Sequence, residues 1–333
     1  MGHKSISTTM DTYAELAPQR KLEAVGIYLE KIAERFYNKT LRGLTIEDIQ
    51  NYWIWLLSSK DENGSGYSQA YASLIFGMFR KSLDYAVEMG YLETNISKKA
   101  KAIPKGKAIV PYWTKVEFER VIAQICLDDF YEHLNFVMLW TFFMTGIRVN
   151  EGMALWWNDI DFDKKRMRVH HMLILKSRKN WQRNAYTKTS DGKRIISLDD
   201  DTISILKRWK DRQKEIGLGN ETDFIFTYDS LPMIKSTLAR IIQRYSELAN
   251  VKRIQGKGLR HSNASYLINE FNVSVLILSK RLGHSSPEIT LKHYSHLWRG
   301  ADKSIAEIMS GNISIHTAPK TKIQFNGNQN LKR

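Results

Sequence analysis

The feature that most constrains this chain is the rhythm of its apolar residues, which is helical almost throughout and breaks only between Asp159 and Leu198. Leu22, Val25, Leu29, Ile32 and Phe36 step by three and four, marking one face of an amphipathic helix. Thr45-Ile46-Glu47-Asp48 opens a second helix with a capping box that uses Asp for the usual Glu or Gln. That helix turns Ile49, Trp53 and Leu56 inward and is expected to stop before Ser58. Tyr67 to Met89 reads as a long helix with Gly90 as its C-cap. A further capping box, Thr114-Lys115-Val116-Glu117, starts another helix, and Phe130 to Met144 is apolar nearly all round, as a buried helix should be. Further helices are expected at Asp201 to Glu215, Pro232 to Ala249, His261 to Asn269, Val275 to Leu282 and Pro287 to Leu297. Inside the break, Met167 to Ile174 and Arg194 to Leu198 are strand-like, with Ser190-Asp191-Gly192 as a turn. The expected fold is mainly α with a small antiparallel β-sheet.

At 333 residues the chain exceeds what one core comfortably fills, so two domains are expected. The boundary falls in a lysine-rich stretch holding Lys98, Lys99, Lys101, Lys105 and Lys107, broken by Pro104 and Gly106. This composition predicts an extended, solvated connection suited to following a phosphate backbone. The expected organisation is a short segment over 1–20, a helical domain over 21–97, a basic linker over 98–112, an α+β domain over 113–309 and a basic tail over 310–333.

Lys and Arg outnumber Asp and Glu by 50 to 35, leaving a formal charge of +15, which points to a polyanionic partner. The single cysteine, Cys126, excludes an internal disulfide and reads as a small buried hydrophobe. No apolar run approaches the length of a membrane span, and a signal-peptide layout is absent, so a cytoplasmic protein without a membrane partner is expected. His170-His171 and the later His284, His293 and His296 raise the question of a metal. Neighbouring strand residues face opposite ways, however, and no ligand cluster accompanies the later set, so no metal and no other cofactor is expected.

Phosphodiester exchange without a metal needs cations for the charge that builds on the non-bridging oxygens, and bidentate arginine suits that task. Thr145-Gly146-Ile147-Arg148-Val149-Asn150-Glu151 places Arg148 after a buried helix and a glycine, with Glu151 one turn on to orient it. A second arginine, Arg260, lies in Gly258-Leu259-Arg260-His261. A tyrosine, Tyr294, ends the block that begins Leu282-Gly283-His284. Each block alone also fits an ordinary salt bridge or core position.

In this order the three blocks resemble the signature of tyrosine recombinases, the phage-integrase type: Thr-Gly-x-Arg-x-x-Glu, then Arg-His, then Leu-Gly-His with a tyrosine ten residues after its histidine. The resemblance covers roughly residues 20 to 298. It implies a helical core-binding domain followed by an α+β catalytic domain. It also implies that Arg148 and Arg260 hold the scissile phosphate of double-stranded DNA, that His284 hydrogen-bonds it, and that Tyr294 attacks to leave a 3′-phosphotyrosyl ester. The family's β-hairpin lysine, general acid to the leaving oxygen, corresponds to Lys188, with Lys193 as the alternative. Glu151 and His261 are expected to support the site, His261 by stabilising a helix start. The implied assembly is a homotetramer at DNA attachment sites, working through a Holliday junction, with room for accessory DNA-bending or directionality factors.

This sequence departs from the family pattern in two places. Lys257 stands three residues before Arg260, where histidine is common, and is expected to take over its electrostatic role. The amino-terminal arm-binding domain common in phage integrases is expected to be missing or reduced to about twenty residues. Those residues echo the nucleophile block, with His3 and Tyr13 spaced like His284 and Tyr294, and are expected to be inert. Two rival readings are a type IB topoisomerase-like enzyme and a DNA-binding regulator that has lost catalysis.

Overall fold

The computed structural model describes residues 30–58, 67–106, 110–185 and 192–298. The chain divides into two compact units, Met1–Ile109 and Val110–Arg333. The His3 and Tyr13 echo and the tail over 310–333 lie outside the described residues.

In the first unit, helix α1 occupies 30–36, α2 runs Ile46–Ser58 and α3 runs Gln69–Glu88. The Asp variant of the capping box forms as read: Thr45 Oγ1 accepts from Asp48 N at 3.1 Å, and Asp48 Oδ2 accepts from Thr45 N at 3.0 Å. Helix α2 continues through Ser58 instead of stopping before it, because the Ser58 hydroxyl turns back and donates to Ile54 O. Gly90 follows α3 with φ +72°, the left-handed geometry that a β-carbon disfavours. An aromatic core joins the helices, with Phe36 stacked on Phe79 and Tyr52 edge-on to both.

The stretch read as a solvated linker belongs in part to this core. Ile96–Lys99 form a 3-10 helix with Ser97 fully buried, and Ile103 is buried while its carbonyl accepts from Ser73 Oγ. Apolar residues spaced between the lysines dock the segment, a pattern that the charge obscured in the sequence.

The second unit opens with Trp113, buried and tied down by its indole N–H to Lys252 O and its backbone N–H to Ser262 Oγ. Helix α4 (Lys115–Ile122) carries the expected capping box. Cys126 lies beyond it and is exposed, contrary to expectation, since α4 has ended and Ile125 takes the inward position. Helix α5 (Phe130–Thr145) crosses the middle of the core, and Gly146 ends it at φ +64°. A short helix α6 (Val149–Gly152) follows.

Among the described residues the β region holds two antiparallel sheets where one was expected. Strands β1 (Ile160–Asp161), β2 (Arg166–Val169) and β5 (Arg194–Ser197) form one in the order β1-β2-β5. Strands β3 (His171–Leu175) and β4 (Trp181–Ala185) pair separately, His171 opposite Ala185 and Leu175 opposite Trp181. The run Met167 to Ile174 is therefore broken at His170. Strand β4 was not anticipated because its Trp-Gln-Arg-Asn-Ala is mostly exposed and lacks an apolar alternation.

Helices α7 (Asp200–Lys214), α8 (Lys235–Leu248), α9 (Gly256–Phe271), α10 (Val275–Leu282) and α11 (Pro287–Tyr294) complete the unit. Helix α9 starts five residues before His261, because Gly256 and Gly258 are helical and not loop. A β-carbon on Gly258 would lie 2.6 Å from Pro111 O, so glycine here permits close packing that its low helix propensity hides.

Candidate active site

Arg148 sits between Gly146 and α6 with extended backbone, φ −70° and ψ 149°. Glu151, one turn on and fully buried, accepts Arg148 N on Oε2 at 2.9 Å and Arg148 Nη1 on Oε1 at 2.7 Å. The other Nη donates to Gly283 O at 3.0 Å. The orienting role read for Glu151 is thus built into the backbone turn that carries Arg148.

Arg260, on α9, is 9% exposed, and Nη1 donates to Gly146 O at 2.9 Å. Its Nη2 is buried with no hydrogen-bond acceptor among the described residues. Burial, with the Arg148 and Arg194 charges beside it, pulls the guanidinium down to about 10. At neutral pH it is therefore a charged donor with one unmet bond, an arrangement that is costly unless an anion completes it.

Two glycines let these groups approach. Gly146 needs its left-handed backbone, and a β-carbon there would meet Asn263 Oδ1 at 2.4 Å and a Leu282 methyl at 2.8 Å. Gly283, at φ +68°, would press a β-carbon 2.9 Å from Arg194 Nη1.

His284 follows Gly283, and its Nδ1 lies 2.7 Å from the hydroxyl of buried Thr290. Burial and then the Arg260 and Arg148 charges lower its pKa to about 4, so the ring is neutral at pH 7. Tyr294 closes α11 at 3% exposure, packed with Ala264, Ile268, Leu278 and Leu282. Burial pushes its phenol up to about 12, with Arg260 and Arg148 pulling the other way.

His261 is in the second turn of α9, so it does not stabilise a helix start. Its ring lies 5.0 Å from that of Tyr294, and burial and the neighbouring cations hold its pKa at about 4. Lys257 is exposed, one turn before Arg260 on α9, and its charge is among those acting on His261. Lys188 lies outside the described residues, in the segment between β4 and β5, and Lys193 is exposed beside that segment. Of the linker lysines, Lys98 pairs with Asp84 at 2.7 Å, Lys99, Lys101 and Lys105 are exposed, and Lys107 lies outside the described residues.

Sequence reasoning missed Arg194 and Thr290. Arg194, Ile196 and Leu198 share one face by the period of two, and an arginine on the inward face of a strand calls for a buried carboxylate. Glu151 is that partner, at 2.8 Å. Thr290 lies four residues before Tyr294, on the same helix face, and both are buried.

His170 and His171 do not face opposite ways as expected of neighbouring strand residues. His170 falls between β2 and β3, and both imidazoles gather with Asp159, their ligand atoms within 4.8 Å of one another. Arg183 already occupies this cluster, donating to Asp159 Oδ2 at 2.6 Å while stacked over Trp156 and 3.5 Å from His171 Nε2.

In fold, the second unit and its helical partner unit are those of tyrosine recombinases. The chain aligns with a structure of the Tn1549 transposon integrase in complex with transposon right end DNA at a TM-score of 0.74 and 16% identity, covering 92% of this chain and 99% of that one. It aligns with a lambda integrase tetramer bound to a Holliday junction at 0.62 and 18%, covering 85% and 78%. In sequence it is 26% identical to the ICEBs1 integrase of Bacillus subtilis over 83% of this chain and 73% of that protein. The model of the phage integrase family matches residues 113–299, and the chain belongs to that family of tyrosine recombinases.

Proposed function

We propose that this chain is the integrase of a mobile element, cutting and rejoining double-stranded DNA at attachment sites as a homotetramer, through a Holliday junction, in the cytoplasm. Arg148 and Arg260 hold the two non-bridging oxygens of the scissile phosphate, with a neutral His284 donating a third hydrogen bond from Nε2. The Tyr294 oxygen attacks phosphorus while the bond to the 5′-oxygen breaks. The phenol proton passes to water, and Lys188 supplies a proton to the leaving oxygen, with Lys193 the alternative donor. The phosphotyrosyl ester conserves the bond energy, so a 5′-hydroxyl from the partner duplex reverses the step without ATP. Lys257 adds positive charge at the phosphate, and Lys98, Lys99, Lys101, Lys105 and Lys107 follow the DNA backbone. Accessory bending or directionality factors set the direction of exchange.

The observation that carries this reading is the unmet donor on Arg260: a buried guanidinium nitrogen without an acceptor, beside Arg148 and within the charge environment of Tyr294. An anion there turns an electrostatic cost into binding and transition-state stabilisation. A nicked suicide duplex tests it. Wild-type protein is expected to form a covalent adduct and Tyr294→Phe none, with DNA affinity nearly equal. An adduct persisting in the phenylalanine variant overturns the assignment. Exchange between two duplexes, followed in the same reaction, separates a recombinase from a topoisomerase-like monomer.

A further inference from the structure

We infer that Arg194 is a positioning residue that cancels the charge of Glu151, so that the full charge of Arg148 and Arg260 is available to the reacting phosphate. The inference rests on the proposed role of those two arginines. Arg194 opens β5, and its side chain is only 6% exposed, so it does not itself face DNA. Each guanidinium nitrogen is engaged: Nη2 with Glu151 Oε2 at 2.8 Å, Nε with Arg281 O at 2.8 Å and Nη1 with Gly192 O at 3.3 Å. Gly283, whose carbonyl receives Arg148, lies against this guanidinium so closely that a β-carbon has no room. One side chain thus ties β5, the carboxylate that orients Arg148, and the end of α10 that leads to His284.

The charges explain why an arginine is needed there. Glu151 is wholly buried, so its negative charge is poorly screened and acts directly on Arg148. Arg148 and Arg260 against Glu151 alone would leave a single net positive charge. Adding Arg194 restores two. A phosphodiester attacked by a phenolate passes through a phosphorane with two negative charges, one more than the ground state carries. The second positive charge therefore acts mainly in the transition state, where stabilisation raises the rate. Arg194 is also close enough to lower the pKa of Arg260 and of His284, which places its charge within range of the same phosphate.

The test compares Arg194→Gln with wild type in single-turnover cleavage of two suicide duplexes, one with an ordinary scissile phosphodiester and one with a methylphosphonate. The methylphosphonate lacks one negative charge in both ground and transition states. Arg194→Gln is expected to cleave the phosphodiester about 10- to 100-fold slower, as for one lost electrostatic contribution, and to lose less than about threefold on the methylphosphonate. Equal losses on both substrates, or a wild-type rate on the phosphodiester, overturn the inference. If thermal melting shows that Arg194→Gln does not fold, Arg194→Lys decides. Lysine keeps the charge but not the contacts to Arg281 and Gly192, so a rate within about threefold of wild type is expected on the phosphodiester, and a loss as large as that of Arg148→Lys overturns the inference. Failure of wild type to form an adduct, or an adduct on Tyr294→Phe, falls instead on the proposed active site.

Discussion

Arg260 donates from Nη1 to the carbonyl oxygen of Gly146 at 2.9 Å, and the glycine that it holds lies two residues before Arg148. The second arginine therefore helps to fix the backbone from which the first projects. The link is closed from the other side, because Arg148 donates to Gly283 O, the residue before His284. Three sequence blocks are locked by two arginine-to-carbonyl bonds, each leaving part of its guanidinium directed elsewhere.

Arg260→Lys should therefore lose more than a charge-conserving change suggests. Lysine's three donors radiate from one nitrogen, so it lacks the planar fork whose separate Nη1 and Nη2 can serve Gly146 O and a phosphate oxygen together. Cleavage on a suicide duplex is expected to slow about 100- to 1,000-fold, with DNA affinity changed less than about threefold, because most binding energy comes from other phosphate contacts. A rate within about threefold of wild type would show that a point charge suffices.

Thr290 is expected to set the tautomer of His284. Both atoms are placed for a hydrogen bond at 2.7 Å, and the imidazole is neutral at pH 7. If the threonine hydroxyl donates to Nδ1, the proton sits on Nε2, ready to donate to phosphate. Thr290→Val removes that donor at nearly constant volume and frees the ring to place its proton on Nδ1. Cleavage should fall about 10-fold or more between about pH 6 and 8, where the ring is neutral, with recovery only as the pH falls toward about 4 and the ring protonates and donates from both nitrogens. A pH profile parallel to that of wild type would remove Thr290 from this role.

Much of this arrangement was legible in the sequence, because each signature block carries its own local punctuation. Gly146 and Gly283 mark helix ends, and Glu151 falls one turn after Arg148. What the sequence hid were partnerships between distant segments. Arg194 and Glu151 are 43 residues apart, and no local pattern announces their ion pair. Element boundaries failed where two forces conflict: glycines made the start of α9 look like loop, and lysines made the docked segment around Ile103 look like linker.

The pH dependence of stability should come chiefly from histidines held neutral. His133, His171, His261 and His284 all have folded pKa values lowered from 6.5 to about 4, burial being the first cause of each. A lowered histidine pKa means that the unfolded chain binds the proton more readily. The stabilisation is therefore complete above about pH 6.5 and is lost as pH falls through about 4. His133 is the most buried of them, its Nδ1 3.1 Å from Arg212 Nη1. Denaturant melts from pH 7 to 4.5 should show a steeper loss for wild type than for His133→Gln, which keeps an acceptor but cannot titrate. Parallel curves would rule out His133 as a contributor.

Lys257 is the candidate-site position where the sequence leaves the commoner family pattern, and its place on α9 makes the consequence specific. It lies three residues before Arg260 and four before His261, so all three project from one side of the helix. Arg260 points to the site through Gly146, and Lys257 is exposed one turn nearer the helix start. A charged lysine there donates hydrogen bonds to an anion but cannot accept the Tyr294 proton, for which the buried phenol at about 12 needs help. On the proposed function, electrostatic support and proton removal would fall to different groups here, whereas histidine at that position can combine them. Lys257→Ala is expected to slow cleavage by roughly 10- to 1,000-fold, as for the loss of one transition-state donor. Lys257→His should retain much of the activity but acquire a new dependence between about pH 6 and 7, where an imidazole titrates. Single-turnover rates of both variants from about pH 6 to 9 separate the possibilities. An alanine variant that matches wild type at every pH would place Lys257 outside the reacting site, and a histidine variant without a new inflection would show that its charge acts only at a distance.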